Sequence, residues 1–203
     1  MGSSTIIDII GAVIIGGLLM LNAIRLYTNS QENAWEYSSE SIVQQNLIDI
    51  TTLLERDFIR IGYQRGAENI PHAIRAITEA EDNHIEFLAD MDNNGTMETV
   101  EFFVGDADDL TGTVNPNDMP FFRRINNVGD AVTTYGVTEF VLEYYNYTGD
   151  RIPTPVANKG EIATITITVV CQNPSFSDQD YERYNPRAFY RQMRLAIPNL
   201  RYK

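Results

Sequence analysis

The sequence predicts an α+β protein: one long N-terminal α-helix, apolar in its first half and amphipathic in its second, packed on an antiparallel β-sheet head. Three observations predict it. Residues 5–23 form a nearly uninterrupted apolar run. From Ala23 the chain has no proline until Pro71, and its apolar residues recur at helical spacing. Beyond Gly66 the apolar period drops to two, the signature of strands. The 203 residues suffice for one head domain plus an extension.

The run Thr5–Ala23, TIIDIIGAVIIGGLLMLNA, carries Asp8 as its single charge, and its length suits a bilayer crossing of roughly 20 residues. Three readings compete: a cleaved secretory signal, an ordinary membrane anchor, and a helix built for assembly. A secretory signal calls for a basic segment before the apolar run, whereas nothing basic precedes Thr5 and Arg25 follows it. An ordinary anchor tolerates Asp8 poorly, since a carboxylate in hydrocarbon costs about 2.5–3.5 kcal/mol even on the lenient insertion scale. Something must offset that cost.

In spacing and character Ser4-Thr5-Ile6-Ile7-Asp8 resembles the start of mature type IV pilins and pseudopilins, where a carboxylate lies five residues into an apolar helix. The resemblance implies that a peptidase removes a short leader, here residues 1–3, and that Asp8 pairs with the new N-terminal amine of a neighbouring subunit. Two departures stand out: the acid is Asp where the family usually has Glu, and the leader is short and lacks Lys or Arg.

Beyond the apolar run, Ile42, Leu47, Ile50, Leu53, Leu54, Phe58 and Ile61 extend the helical pattern, predicting a helix to about Ile61. A helix over residues 5–61 reaches roughly 85 Å at 1.5 Å per residue, more than a bilayer needs. Gly11, Gly16 and Gly17 are weak helix formers; local unwinding and ordinary membrane-helix composition both account for them. Arg56-Asp57-Phe58-Ile59-Arg60-Ile61-Gly62-Tyr63 resembles the end of the long helix in the larger minor pilins of W type and pseudopilins of J type, with Gly62 as the C-terminal cap. The predicted organisation is therefore residues 1–24 as transmembrane and assembly helix, 25–63 as its amphipathic continuation, and 64–203 as a β-rich head.

In the head, Ile74, Ala76 and Ile77 open an apolar-polar run. Ile85, Phe87 and Ala89 alternate with His84, Glu86 and Leu88, as do Val100, Phe102 and Val104 with Glu101 and Phe103. The intervening Asp92-Asn93-Asn94-Gly95 is turn chemistry, so these two strands form a hairpin. Further strands are expected at Phe121–Ile125, Val137–Tyr145, Glu161–Cys171 and Arg187–Ile197. Long loops are expected at Gly105–Pro120, Gly149–Gly160 and Asn173–Pro186.

Asp90, Asp92, Asn94, Gly95 and Glu101 fall at positions 1, 3, 5, 6 and 12 of the calcium-loop pattern D-x-[DN]-x-[DN]-G-x5-E. The Thr96 carbonyl and Glu98, directly or through water, complete the candidate Ca²⁺ ligands. A hairpin turn using Asp, Asn and Gly for its backbone is the competing account, and strands rather than helices flank it. No other cofactor is called for.

Acidic residues outnumber basic ones by 28 to 15, a formal charge of -13, which argues against nucleic acid as a partner. From Gln179 onward six basic residues face two acidic ones. Glu32, Glu36 and Glu40 line one helical face, either simply solvated or meeting Arg187, Arg191 and Arg194 in the tail of an adjacent subunit. The lone Cys171 excludes an internal disulfide, and it reads as a small core residue. His72 and His84 are the only histidines, and His84 is expected at the surface. No nucleophile and base can be assembled, so no enzyme activity is expected.

Together with the resemblance, these features predict a structural filament subunit. It would be held in the inner membrane before assembly, then incorporated with copies of itself or other pilins by a pilus or secretion machinery into a surface or periplasmic filament. A membrane-anchored, adhesin-like binding module that never polymerises is the alternative.

Overall fold

The computed structural model describes residues 2–66, 76–110, 113, 115–128, 135–173 and 188–200. Ile74, most of the expected loop Asn173–Pro186, and Arg187 lie outside the described residues, as does the side chain of Glu36. The chain divides into two compact units, Met1–Ser41 and Ile42–Lys203.

Helix α1 (Gly2–Phe58) is 57 residues long. In the first unit it runs unbroken through Gly11, Gly16 and Gly17, so the unwinding considered above does not occur. A Cβ added at any of the three would meet no atom within 4 Å, so no contact within this chain demands their small size.

In the second unit α1 becomes one-sided. Val43, Leu47, Ile50, Leu54 and Phe58, spaced three or four residues apart, are buried, while Ile48, Thr52 and Glu55 face solvent. The helix stops at Phe58, three residues before the expected end. Arg60 and Ile61 donate instead to the carbonyls of Asp57 and Phe58, tightening the last turn. Gly62, at φ 74°, then reverses the chain and gives its N–H to Leu88 O at 2.8 Å. The glycine thus closes a turn beyond the helix. Asn199, near the far end of the chain, donates to the Ile59 and Ile61 carbonyls at 3.2 and 3.1 Å.

The head contains two antiparallel four-stranded sheets. The first orders β1 (Ile77–Ala80), β2 (His84–Ala89), β3 (Glu98–Val104) and β4 (Phe121–Ile125) as a meander. The second orders β6 (Arg151–Ile152), β5 (Val137–Tyr145), β7 (Thr164–Cys171) and β8 (Phe189–Ala196). Strands β4 and β5 match their expected bounds, while β7 starts at Thr164 and β8 spans Phe189–Ala196. The expected loop Gly149–Gly160 contains β6, which pairs only with Tyr144 and Tyr145.

Alternation places Ile85, Phe87 and Ala89 on the core face of the first sheet and Ile165, Ile167, Val169 and Cys171 on that of the second. Phe58 of α1 packs edge-on to Phe87 at 5.7 Å, and Phe121 meets Phe140 of the other sheet at 5.2 Å, joining both sheets and the helix in one core. The β1–β2 turn stitches the sheets together: Leu142 N–H donates to Asp82 O at 2.6 Å and the Tyr144 hydroxyl to Glu81 O at 2.9 Å.

Candidate functional site

The first candidate is the N-terminal helix surface. Its most apolar 18-residue stretch has a mean hydropathy of 2.2, and none of it is buried within the chain. By length and composition it can cross a membrane. Asp8 is exposed, between Ile7 and Ile9 at 68% and 60% exposure. Among the described residues no hydrogen bond or ion pair within the chain engages its carboxylate.

The second candidate is the turn between β2 and β3. Register fixes it: Ala89 pairs with Glu98, so the chain from Asp90 to Met97 makes the reversal. Asn93 and Gly95 take the left-handed conformation such a tight path requires, at φ 61° and 91°. Asp90 is fully buried at its centre. Its carboxylate accepts N–H groups from Arg65 at 3.0 Å, Gly95 at 2.9 Å and Asn94 at 3.0 Å. Burial by itself would raise its pKa. The N–H groups of Arg65, Gly95, Asn94 and Asn93 outweigh that and hold the carboxyl below the ordinary aspartate value.

Carboxylate oxygens of Asp90, Asp92 and Glu98 lie within 4.8 Å of one another, a spacing that a divalent cation could bridge. Each already has a partner: Asp92 accepts from Asn94 N and Nδ2, and Glu98 Oε2 accepts Met91 N–H at 2.7 Å. Asn94 Oδ1 accepts the Thr96 N–H at 2.7 Å. Glu101 does not join this group. It lies on β3 opposite Glu86, where it contacts His84 Nε2 at 3.2 Å and Arg124 at 3.6 Å. It lies three positions beyond Glu98 along regular strand, an odd offset that puts the two side chains on opposite faces of the sheet. His84, expected at the surface, is half-buried on the polar face of β2: its side chain is 20% exposed, with Nδ1 3.2 Å from Glu79.

Sequence spacing gave no hint that the helix end and this turn form one unit. Arg60 donates to Met91 O at 2.6 Å, Gln64 to Gly95 O at 2.8 Å, and Arg65 to Asn93 O at 3.0 Å, while Asp90 N–H donates to Tyr63 O at 2.8 Å. The segment Arg60–Arg65 is thereby the cradle of the Asp90 turn.

Glu32 and Arg191 are exposed, Glu40 is half-buried, and the Arg194 guanidinium covers the Tyr145 ring at 4.7 Å. Glu36 and Arg187 cannot be placed, lying outside the described side chains.

Two buried acids escaped the sequence reading. Asp57 is fully buried and pairs with Arg56 at 2.9 Å and with Arg123 of β4 at 2.6 Å, across 66 positions of sequence. Asp118, in the segment before β4, is 1% exposed, and among the described residues its carboxylate oxygens have no well-formed hydrogen-bond partner. No protein-family model, curated protein or solved structure matches this chain, so its functional reading rests on the residues and geometry described above.

Proposed function

We propose that this protein is a structural subunit of a type IV pilus-like filament, assembled through its N-terminal helix and not acting as an enzyme. One observation carries the reading: the helix α1 exposes aliphatic side chains on all sides over Ile6–Leu21, where Asp8 is the single charge, and the same helix supplies Val43–Phe58 to the core of the head. Lipid covers such a surface before assembly, and the same surface on neighbouring copies covers it afterwards. In this reading Asp8 docks against a neighbouring subunit's N-terminal amine, and the sheets face outward from the filament. The stripe Glu32–Glu40 and the basic Arg191 and Arg194 would supply complementary charge between subunits.

Electron microscopy of surface or periplasmic filaments, combined with mass spectrometry of the native N-terminus, tests the proposal. The chain is expected in the filament, and Asp8→Ala is expected to remove it while leaving the protein in the membrane fraction. Persistent absence of the wild-type chain from any filament would overturn it in favour of a membrane-anchored binding module.

A Ca²⁺ ion in the head is a separate proposal, supported by the 4.8 Å grouping of Asp90, Asp92 and Glu98. Glu101 is not part of that ligand set. Titration calorimetry at up to about 1 mM Ca²⁺, the range of extracellular modules, tests it. No heat and no change in melting temperature would rule it out.

A further inference from the structure

Asp118 sits in a clamped segment. Its N–H donates to Asn115 O at 3.2 Å, and the next N–H, of Met119, donates to Val137 O of β5 at 2.7 Å. Asn115 Oδ1 accepts Asn117 N–H at 3.0 Å, and its Nδ2 reaches Asn173 O, just past β7, at 3.2 Å. The segment therefore closes over the ends of β5 and β7, with Cys171 fully buried beneath it.

Inside the clamp both Asp118 oxygens and the Thr113 hydroxyl are buried without hydrogen-bond partners. The Thr113 hydroxyl and Met119 N–H lie near enough to favour the anion, less than burial disfavours it, but neither makes a well-formed bond to it. Among the described residues, the titratable group facing Asp118 is the Cys171 thiol of β7; Val137 of β5 and Thr113 and Met119 of the segment itself bring no charge. No described cation pairs with the acid.

An unpaired anion in such a place is far costlier than a neutral acid. A proton relieves that cost with one bond, whereas Ca²⁺ would need six to eight oxygens and the unpartnered side chains among the described residues offer one carboxylate and one hydroxyl. We propose that Asp118 is held as a neutral carboxylic acid in the folded head, and that its ionisation loosens the Asn115–Met119 clamp over Cys171, so that rising pH weakens the head.

Burial is the dominant influence on Asp118 and raises its pKa above the free value of 3.8; burial, with a smaller contribution from Asp118, pushes the Cys171 thiol up to about 12. The folded chain thus keeps a proton that the unfolded chain releases. The resulting stability is complete below the unfolded pKa and is lost as pH rises through the folded one.

The test is ¹³C NMR of the aspartate carboxyls in the intact, detergent-solubilised chain, with the Asp118 resonance assigned by its loss in Asp118→Asn. The resonance is expected to keep its protonated position at pH values where exposed aspartates have already ionised. Titration together with the exposed aspartates overturns the proposal, as does a shift of this resonance on adding Na⁺, K⁺ or Ca²⁺, which would assign the site to a cation. Urea midpoints at about pH 5 and about pH 8 give a second readout. The wild type is expected to lose more of its midpoint than Asp118→Asn does between them, and equal losses count against the proposal.

Discussion

Asp90 and Asp118 are both aspartates almost wholly removed from solvent, yet the chain treats them in opposite ways. Asp90 sits in a turn whose backbone N–H groups point at it, so the fold holds it as an anion. Asp118 sits where its own N–H and that of Met119 are spent on the carbonyls of Asn115 and Val137, so the fold favours its neutral form. The difference lies in where the backbone donors go, a property of local path rather than residue type. Asp57 shows a third solution, an ion pair with two arginines.

The largest effect is expected where charge pairing is broken. Asp57→Ala leaves Arg123 without its buried partner and should cost about 3–5 kcal/mol in urea unfolding, the usual range for a broken buried pair. Phe58→Ala, which removes the ring between the helix and the first sheet, should cost a similar 3–5 kcal/mol or slightly less.

Asp90→Asn tests the other side of the contrast. Its depressed pKa means that its contribution is present above the unfolded pKa of 3.8 and is lost as pH falls through the lower folded one. The variant should be less stable than wild type at neutral pH, and the gap should close on acidification. Asp118→Asn should run the opposite way, gaining on the wild type as pH rises. A head in which both variants show the same pH trend would erase the distinction. The smallest effect is expected for Glu101→Gln in calcium titration: since Glu101 is engaged by His84 and Arg124, any Ca²⁺ response of the turn should survive it, whereas Asp92→Asn should diminish that response.

Much of this architecture could be read from the residues because alternation and helical spacing are local signals. Strands β4 and β5 and the hairpin around Asp92–Gly95 were legible for that reason. Strand β6 was not, since two residues carry no period. The helix end was misjudged by three residues because Ile61 keeps the apolar pattern while its backbone has already tightened into a turn. The Asp90 turn was legible as a motif, but the calcium pattern extended it to Glu101, which strand geometry carries away. Asp57 with Arg123, and the isolation of Asp118, depend on contacts between distant segments and left no sequence period to follow.

The buried stripe of α1 in the head also fixes how that helix resists being pulled. Val43, Leu47, Ile50, Leu54 and Phe58 occupy four turns of one rigid rod, so tension along its axis must drag all five past their neighbours together. Shear of that kind distributes force, whereas peeling concentrates it on one contact at a time. The Asp57–Arg123 bridge sits at the far end of the same rod, and Asn199 holds the Ile59 and Ile61 carbonyls of the turn just beyond it, so the same pull must also break these polar contacts.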